Sequence, residues 1–228
     1  MPPVLLEVLE EARSLGFLGA TDLQEQIAHA LGFADAVEKS GAAMPGRESS
    51  PIAGQGRWMD MGSGGGLPGL VLAQRWGGSL AVFLDSAERR TTFLSGAVGQ
   101  LGWEHHVQVV RARAEDAGRR PDLRGAFDIV VARSFGSPPV TAECAAPFLR
   151  PGGLLVVSEP PSSGPAPTQV LAARWPREGL AMLGMEPLIT VRSSFGYQVV
   201  RQVEPCPERF PRRAGMAAKR PVYRVTEG

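Results

Sequence analysis

Apolar positions along this chain follow two rhythms. Near the amino end Val4, Leu5, Val8, Leu9 and Ala12 recur at helical spacing and predict a helix over 3–15. A second helix over 21–39 follows Asp22, whose carboxylate suits an amino-terminal cap. Residues 40–56, dense in Gly, Pro and Ser, read as a loop or boundary that separates a helical preface, 1–56, from a main domain, 57–228. From Arg57 onward short apolar runs alternate with helical stretches. Strands are predicted at 57–61, 80–85, 107–112, 127–132 and 154–157, and helices at 67–76, 87–101 and 139–149. Such alternation implies an α/β fold: a doubly wound, mostly parallel sheet with helices on both faces. After a Pro/Ser/Gly loop at 160–167, a helix over 168–184 and strands at 187–192 and 197–204 would close the sheet with an antiparallel hairpin.

The candidate chemistry sits where the first strand ends. Trp58-Met59-Asp60-Met61 leads into Gly62-Ser63-Gly64-Gly65-Gly66-Leu67-Pro68-Gly69, a carboxylate followed by a glycine turn. Glycines at 62, 64 and 66 permit positive φ and let a ligand lie against bare backbone. A flexible glycine linker would have the same composition. Against that reading, the next apolar run, 80–84, ends in Asp85, 25 positions after Asp60, where a Rossmann-like unit places the acid that accepts ribose hydroxyls. The Gly-x-Gly-x-Gly pattern after an acid, rather than Gly-x-Gly-x-x-Gly, favours S-adenosylmethionine over a dinucleotide. In a parallel sheet ligands bind at the carboxyl ends of strands, the edge to which Asp60, Asp85, Arg113 to Asp116 and Arg133 are assigned.

Composition narrows the class. At 228 residues the chain suits one α/β domain with modest additions. No stretch approaches the ~20 apolar residues of a membrane span, and the acidic start lacks the order of a signal peptide, so a cytoplasmic protein without membrane association is expected. Cys144 and Cys206 have no partners at metal-ligand or disulfide-framework spacing, and no metal is expected. Net charge is only +1, but residues 1–60 hold four basic and nine acidic side chains, whereas residues 201–228 hold seven and three. The basic carboxyl end reads either as a solvated tail or as a grip on RNA backbone. His105 and His106 read as a surface loop pair.

Four segments in order carry a family resemblance: Asp60 to Gly69, Leu84-Asp85-Ser86 with Arg89-Arg90, Arg113-Ala114-Glu115-Asp116, and Phe127 to Phe135 with its Arg133-Ser134-Phe135 end. Together they resemble bacterial guanine-N7 methyltransferases of small-subunit (16S) ribosomal RNA, a family also called glucose-inhibited division protein B. The tail Phe210-Pro211-Arg212-Arg213-Ala214-Gly215-Met216 with Lys219-Arg220-Pro221 is similar to that family's closing segment. The resemblance implies a class I S-adenosylmethionine-dependent methyltransferase acting on 16S ribosomal RNA or the small ribosomal subunit, as a monomer. It implies that Asp60, Gly62, Ser63, Gly64, Gly66 and Leu67 bind the cofactor, with Asp85 on its ribose and Ala114 and Glu115 along its adenine. Arg133 would sit where cofactor meets target base, as the catalytic candidate. Arg113, Arg212, Arg213 and Lys219 would contact RNA, although Arg113 could equally pair with an acid such as Asp116.

The implied chemistry needs no base, because guanine N7 offers an in-plane lone pair and no proton to remove. The chain departs from the family after the fifth strand, where Ser158-Glu159-Pro160-Pro161 replaces a lysine-containing step. An acid there should repel RNA phosphate. That departure and the near-neutral charge favour one alternative, a methyltransferase of the same fold with a small-molecule or protein acceptor. A ribosome-associated binding protein without turnover is a second, against which the glycine turn and both acids argue.

Overall fold

The computed structural model describes residues 1–41, 56–160 and 173–225. In chain order the elements are α1 (Pro3–Ser14), α2 (Leu23–Lys39), β1 (Arg57–Met61), α3 (Gly69–Arg75), β2 (Leu80–Asp85), α4 (Glu88–Gln100), β3 (Val107–Arg111), α5 (Ala114–Ala117) and β4 (Phe127–Ala132). There follow α6 (Pro138–Ala145) with a 3₁₀ turn (Ala146–Phe148), β5 (Leu149–Glu159), α7 (Arg177–Ala181), β6 (Met185–Arg192), β7 (Gly196–Gln202) and α8 (Met216–Lys219). The seven strands form one sheet in the order β3-β2-β1-β4-β5-β7-β6. Five strands run parallel, and β7 joins antiparallel to both β5 and β6, with Leu155 opposite Val200. The expected doubly wound, mostly parallel sheet and its closing hairpin are present.

Parallel strands bury both faces, and the alternation within β1 shows how. Trp58 faces one layer with Phe83, Leu70 and Phe33, while Met59 and Met61 face the other with Leu84, Phe127 and Phe148. The two amino-terminal helices belong to the first layer, since Leu5, Val8, Leu9, Ile27, Ala30 and Phe33 share that core with the sheet. Asp22 caps α2 by accepting from Gln24 N and Glu25 N at 2.9 and 3.2 Å. The Tyr197 hydroxyl donates to the His29 carbonyl at 2.6 Å, fastening α2 to β7.

Three elements differ from expectation. Helix α6 stops at Ala145 instead of 149, because Pro147 has no N–H for the helix ladder and the chain tightens into a 3₁₀ turn. Strand β5 starts at Leu149 rather than 154, carried through Pro151-Gly152-Gly153 by a register shift against β4. Of the helix expected over 168–184, residues 168–172 lie outside the described residues, as do most of the 40–56 and 160–167 loops. The described remainder holds α7, which Pro176 precedes, and the chain turns at Gly184 with φ +74°.

After β3 the chain returns to place β4 on the other side of β1. Such a reversal of winding opens a crevice at the carboxyl ends of the flanking strands. Among the described residues no helix is long and apolar enough to cross a membrane.

Candidate active site

The glycine turn leaves β1 at this crevice and is stitched to β2: Gly62 N and Ser63 N both donate to the Leu84 carbonyl, at 2.8 and 3.1 Å. Gly62 holds φ +80°, and a β-carbon there would stand 2.8 Å from the Phe135 ring, so the backbone and the ring need each other bare and close. Asp85 ends β2 and closes the turn. One carboxylate oxygen accepts from Gly64 N at 3.0 Å, the other from Ala87 N at 2.8 Å, and the Arg90 guanidinium lies 3.7 Å away.

Next to Gly62 and Asp85 lies a cavity of about 340 Å³, also lined by Ser86, Arg90, Arg113, Ala114, Glu115, Ser134, Phe135 and Cys144. The carboxyl-terminal segment forms part of its wall through Gly215, Ala217 and Ala218. Glu115 secures that wall by accepting from Gly215 N at 2.9 Å. Burial pushes the Cys144 thiol up to about 12, so it is neutral and no nucleophile near pH 7.

A second cavity, of about 350 Å³, shares Ser134 and Phe135 with the first and extends to His29, Gly136, Pro138, Glu159, Arg174 and Trp175. Ser134 is the one non-glycine residue with positive φ, +53°, among the described residues. Strained backbone of this kind persists where the surroundings enforce it, often at functional sites. Burial, reinforced by Arg133, lowers the His29 imidazole to about 4 and keeps it neutral. Its ring stacks on Phe195 with centroids 4.6 Å apart.

Beneath the turn lies Asp60, expected at the cofactor but buried. Asp60 is 0 % exposed and accepts from Gly69 N at 2.9 Å, while its other oxygen has no hydrogen-bond partner among the described residues. Desolvation raises its carboxyl to about 7, against the opposing pull of the Gly69 N–H and of Arg133. Arg133 is lowered by burial and supported by Asp60. Its Nη2 reaches Gln26 Oε1 at 3.3 Å, and its Nη1 is buried without a partner among the described residues.

A family model described as rRNA small subunit methyltransferase G matches residues 47–159. The ribosomal RNA small subunit methyltransferase G of Prochlorococcus marinus is 36% identical over 167 residues, covering 73% of this chain and 68% of that protein. The protein of the same name from Symbiobacterium thermophilum is 34% identical over 224 residues, covering 94% and 86%. The chain belongs to the rRNA small subunit methyltransferase G family. Solved structures agree on the fold alone. An O-methyltransferase from Bacillus cereus in complex with SAH has TM-score 0.59 at 15% identity, covering 89% of this chain and 91% of that one. A geranyl diphosphate methyltransferase in complex with SAM has TM-score 0.55 at 16% identity, covering 78% and 85%.

Within this family member, Gly62, Asp85, Ala114, Glu115 and Arg113 come together on the wall of the first cavity. Several expected cofactor residues do not. Asp60 and Ser63 are buried under the turn, with Ser63 Oγ donating to the Asp60 carbonyl at 2.8 Å. Gly66 packs against Leu70 and Leu94, and Leu67 lies in the core, because the turn folds inward to start α3. Gly64 stands behind the wall with its N–H on Asp85. Arg133 lies beside Asp60 and Gln26 rather than on either cavity's wall; the next two residues, Ser134 and Phe135, are the ones the cavities share.

The basic tail divides. Arg212 is no free RNA contact, since it clamps buried Glu143 through Nε at 2.9 Å and Nη2 at 2.6 Å, and its backbone N–H donates to the same carboxylate at 3.0 Å. Arg213 and Lys219 stay exposed. Arg113 pairs with Glu115, 3.8 Å away, instead of Asp116. Glu159, expected to repel phosphate, is paired instead: Arg174 Nε donates to it at 2.7 Å and Trp175 Nε1 at 2.6 Å. The expected repulsion of phosphate is thereby offset. Sequence alone does not single out His29, Gln26, Arg174 and Trp175 as site residues, because Gln26 and His29 reach Arg133 and Tyr197 from more than 100 positions away, and Arg174 and Trp175 fold back on Glu159 across 15 and 16 positions. The Gly215–Ala218 segment reads in sequence as basic tail rather than as cavity wall.

Proposed function

We propose that this chain is an S-adenosylmethionine-dependent methyltransferase that forms 7-methylguanosine in small-subunit ribosomal RNA. One observation carries the reading: in a chain of this family, Asp85 and bare Gly62 face a cavity of about 340 Å³ at the carboxyl ends of parallel strands. That volume suits a nucleoside cofactor, and the donor set fits one. Asp85 would accept from ribose hydroxyls, and Ala114 with Glu115 would flank the adenine. Arg133, which lies beside Asp60 and Gln26 rather than on either cavity's wall, would support the strand end that carries Ser134 and Phe135. The bound cofactor would supply an electrophilic methyl group.

The chain's own contribution is alignment. Guanine N7 carries no proton, so the protein has to hold base and cofactor in line and exclude water, an effect that can supply several kcal/mol. The neighbouring groups agree with a mechanism free of proton transfer. His29 is neutral above about pH 5 and the Cys144 thiol is protonated, so neither changes charge between pH 6.5 and 8.5. Asp60, raised to about 7, does, but it lies under the turn and on neither cavity's wall, so any slope it causes should vanish in Asp60→Asn. Single-turnover transfer should be flat across that window, whereas an acceptor that must lose a proton would give a slope near one. Nucleoside mass spectrometry of small-subunit ribosomal RNA, from cells with and without this gene, tests the activity. Loss of one 7-methylguanosine without the gene, and its restoration by the purified protein with S-adenosylmethionine, is expected; unchanged content would overturn the reading.

A further inference from the structure

The second cavity contains a buried carboxylate shared between a guanidinium and a core indole. Glu159, whose side chain is 2% exposed, ends β5 and meets Arg174 and Trp175 at the cavity wall. Apolar residues of similar volume commonly stabilise a buried position as well as an ion pair does. A carboxylate and a guanidinium held side by side also make a recognition surface. We propose that this cavity seats the acceptor base, and that Glu159 with Arg174 reads the Watson–Crick edge of an unpaired guanine.

The chemistry of the two partners matches. A carboxylate has about four lone-pair positions, and Glu159 uses one oxygen for Arg174 Nε and the other for Trp175 Nε1. Each oxygen retains capacity to accept from guanine N1–H and N2–H. Arg174 employs its Nε toward Glu159, and its terminal amino groups, without a partner among the described residues, would donate to guanine O6. Adenine would present the reverse pattern, a lone pair at N1 toward the carboxylate and an amino group toward the guanidinium. N7 lies on the far edge of the purine from N2. A guanine held by Glu159 and Arg174 would turn N7 back toward Ser134 and Phe135, the residues this cavity shares with the first. A base held by its Watson–Crick edge cannot be paired, so the substrate guanosine is one splayed from a single-stranded loop, as sequence-specific RNA recognition usually requires.

The inference rests on the ribosomal RNA reading, and inosine separates the two. Inosine lacks the N2 amino group but keeps N1–H, O6 and N7. The acceptor guanosine is first mapped in the wild-type reaction, then replaced by inosine in a ligated RNA, and single-turnover transfer is measured on both. The wild-type protein should lose about tenfold or more in kcat/KM on inosine, as expected for one lost hydrogen bond to a charged group. Glu159→Gln should slow guanosine transfer by a comparable factor and erase the guanosine-to-inosine ratio, with S-adenosylhomocysteine affinity unchanged. Equal wild-type rates on the two RNAs would overturn the proposal without any variant having to fold. A Glu159→Gln protein that slows both RNAs equally would make Glu159 a structural anchor and overturn it too. Absence of any wild-type transfer to RNA would instead strike the ribosomal RNA reading and remove this inference with it.

Discussion

Asp60 and Asp85 are two carboxylates 25 positions apart on neighbouring strands, and their surroundings assign them different work. Asp85 stands at the cavity with both oxygens already accepting backbone N–H groups, so it orders the turn and faces the ligand at once. Asp85→Ala should weaken S-adenosylmethionine binding by ~1.5 to 3 kcal/mol, the loss of charge-assisted hydrogen bonds. Calorimetry reads it, and an unchanged affinity would remove Asp85 from the ribose. Asp60 is buried and raised to about 7 from an ordinary value near 4. A group raised in the folded state stabilises fully below its unfolded pKa and loses that contribution as pH climbs through the folded value. Wild-type stability should therefore fall between about pH 4 and 7, by at most about 1.4 kcal/mol per pH unit from this group. Asp60→Asn retains an oxygen for Gly69 N and should flatten that decline in urea titrations at stepped pH. An equally steep decline in both proteins would mean that Asp60 is ionised when folded.

At the scale of elements, the glycine turn and the carboxyl-terminal segment jointly frame the first cavity, and only the former was legible from local pattern. The turn was readable because acid, glycines and second acid keep fixed spacing. Which of its residues face outward was not, since Leu67 and Gly66 turn inward by packing on Leu70 and Leu94. The period-2 alternation of β1 did hold a clue to Asp60: it shares a strand face with Trp58, an apolar residue committed to the core. Arg212 shows the limit of charge counting. Its partner Glu143 is 69 positions away and 1% exposed, a pairing no composition reveals. Arg212→Ala would strand that carboxylate with only a backbone N–H, and should cost about 2 to 4 kcal/mol of folding stability. Because Gly215, Ala217 and Ala218 follow directly in the cavity wall, cofactor affinity should drop as well. Thermal melts with and without S-adenosylhomocysteine check both effects, and a variant as stable as the parent would mean the clamp is ornamental.

Across the whole molecule, the mostly parallel sheet and a ligand site at its strand ends followed from alternation of apolar runs, because a parallel sheet buries both faces and leaves chemistry only at strand ends, whereas the order of the strands did not. What alternation cannot encode is which surface meets a large partner. The carboxyl-terminal pole reads in sequence either as a solvated tail or as a grip on RNA, and its basic residues serve two ends: Arg212 braces the fold, and Arg209, Arg213 and Lys219 remain exposed. Cations that release condensed counterions on binding give a salt dependence, with a slope of roughly −0.7 per phosphate contact on single-stranded RNA. Replacing Arg213 and Lys219 together by alanine removes two exposed charges without touching Glu143. The double variant should weaken small-subunit RNA binding irrespective of sequence and flatten the slope by about one to one and a half units, leaving cofactor affinity and melting temperature as they were. Filter binding at several salt concentrations measures the slope. An unchanged slope would detach the basic pole from RNA and leave the rim of the second cavity, where Arg174 sits, as the surface to probe next.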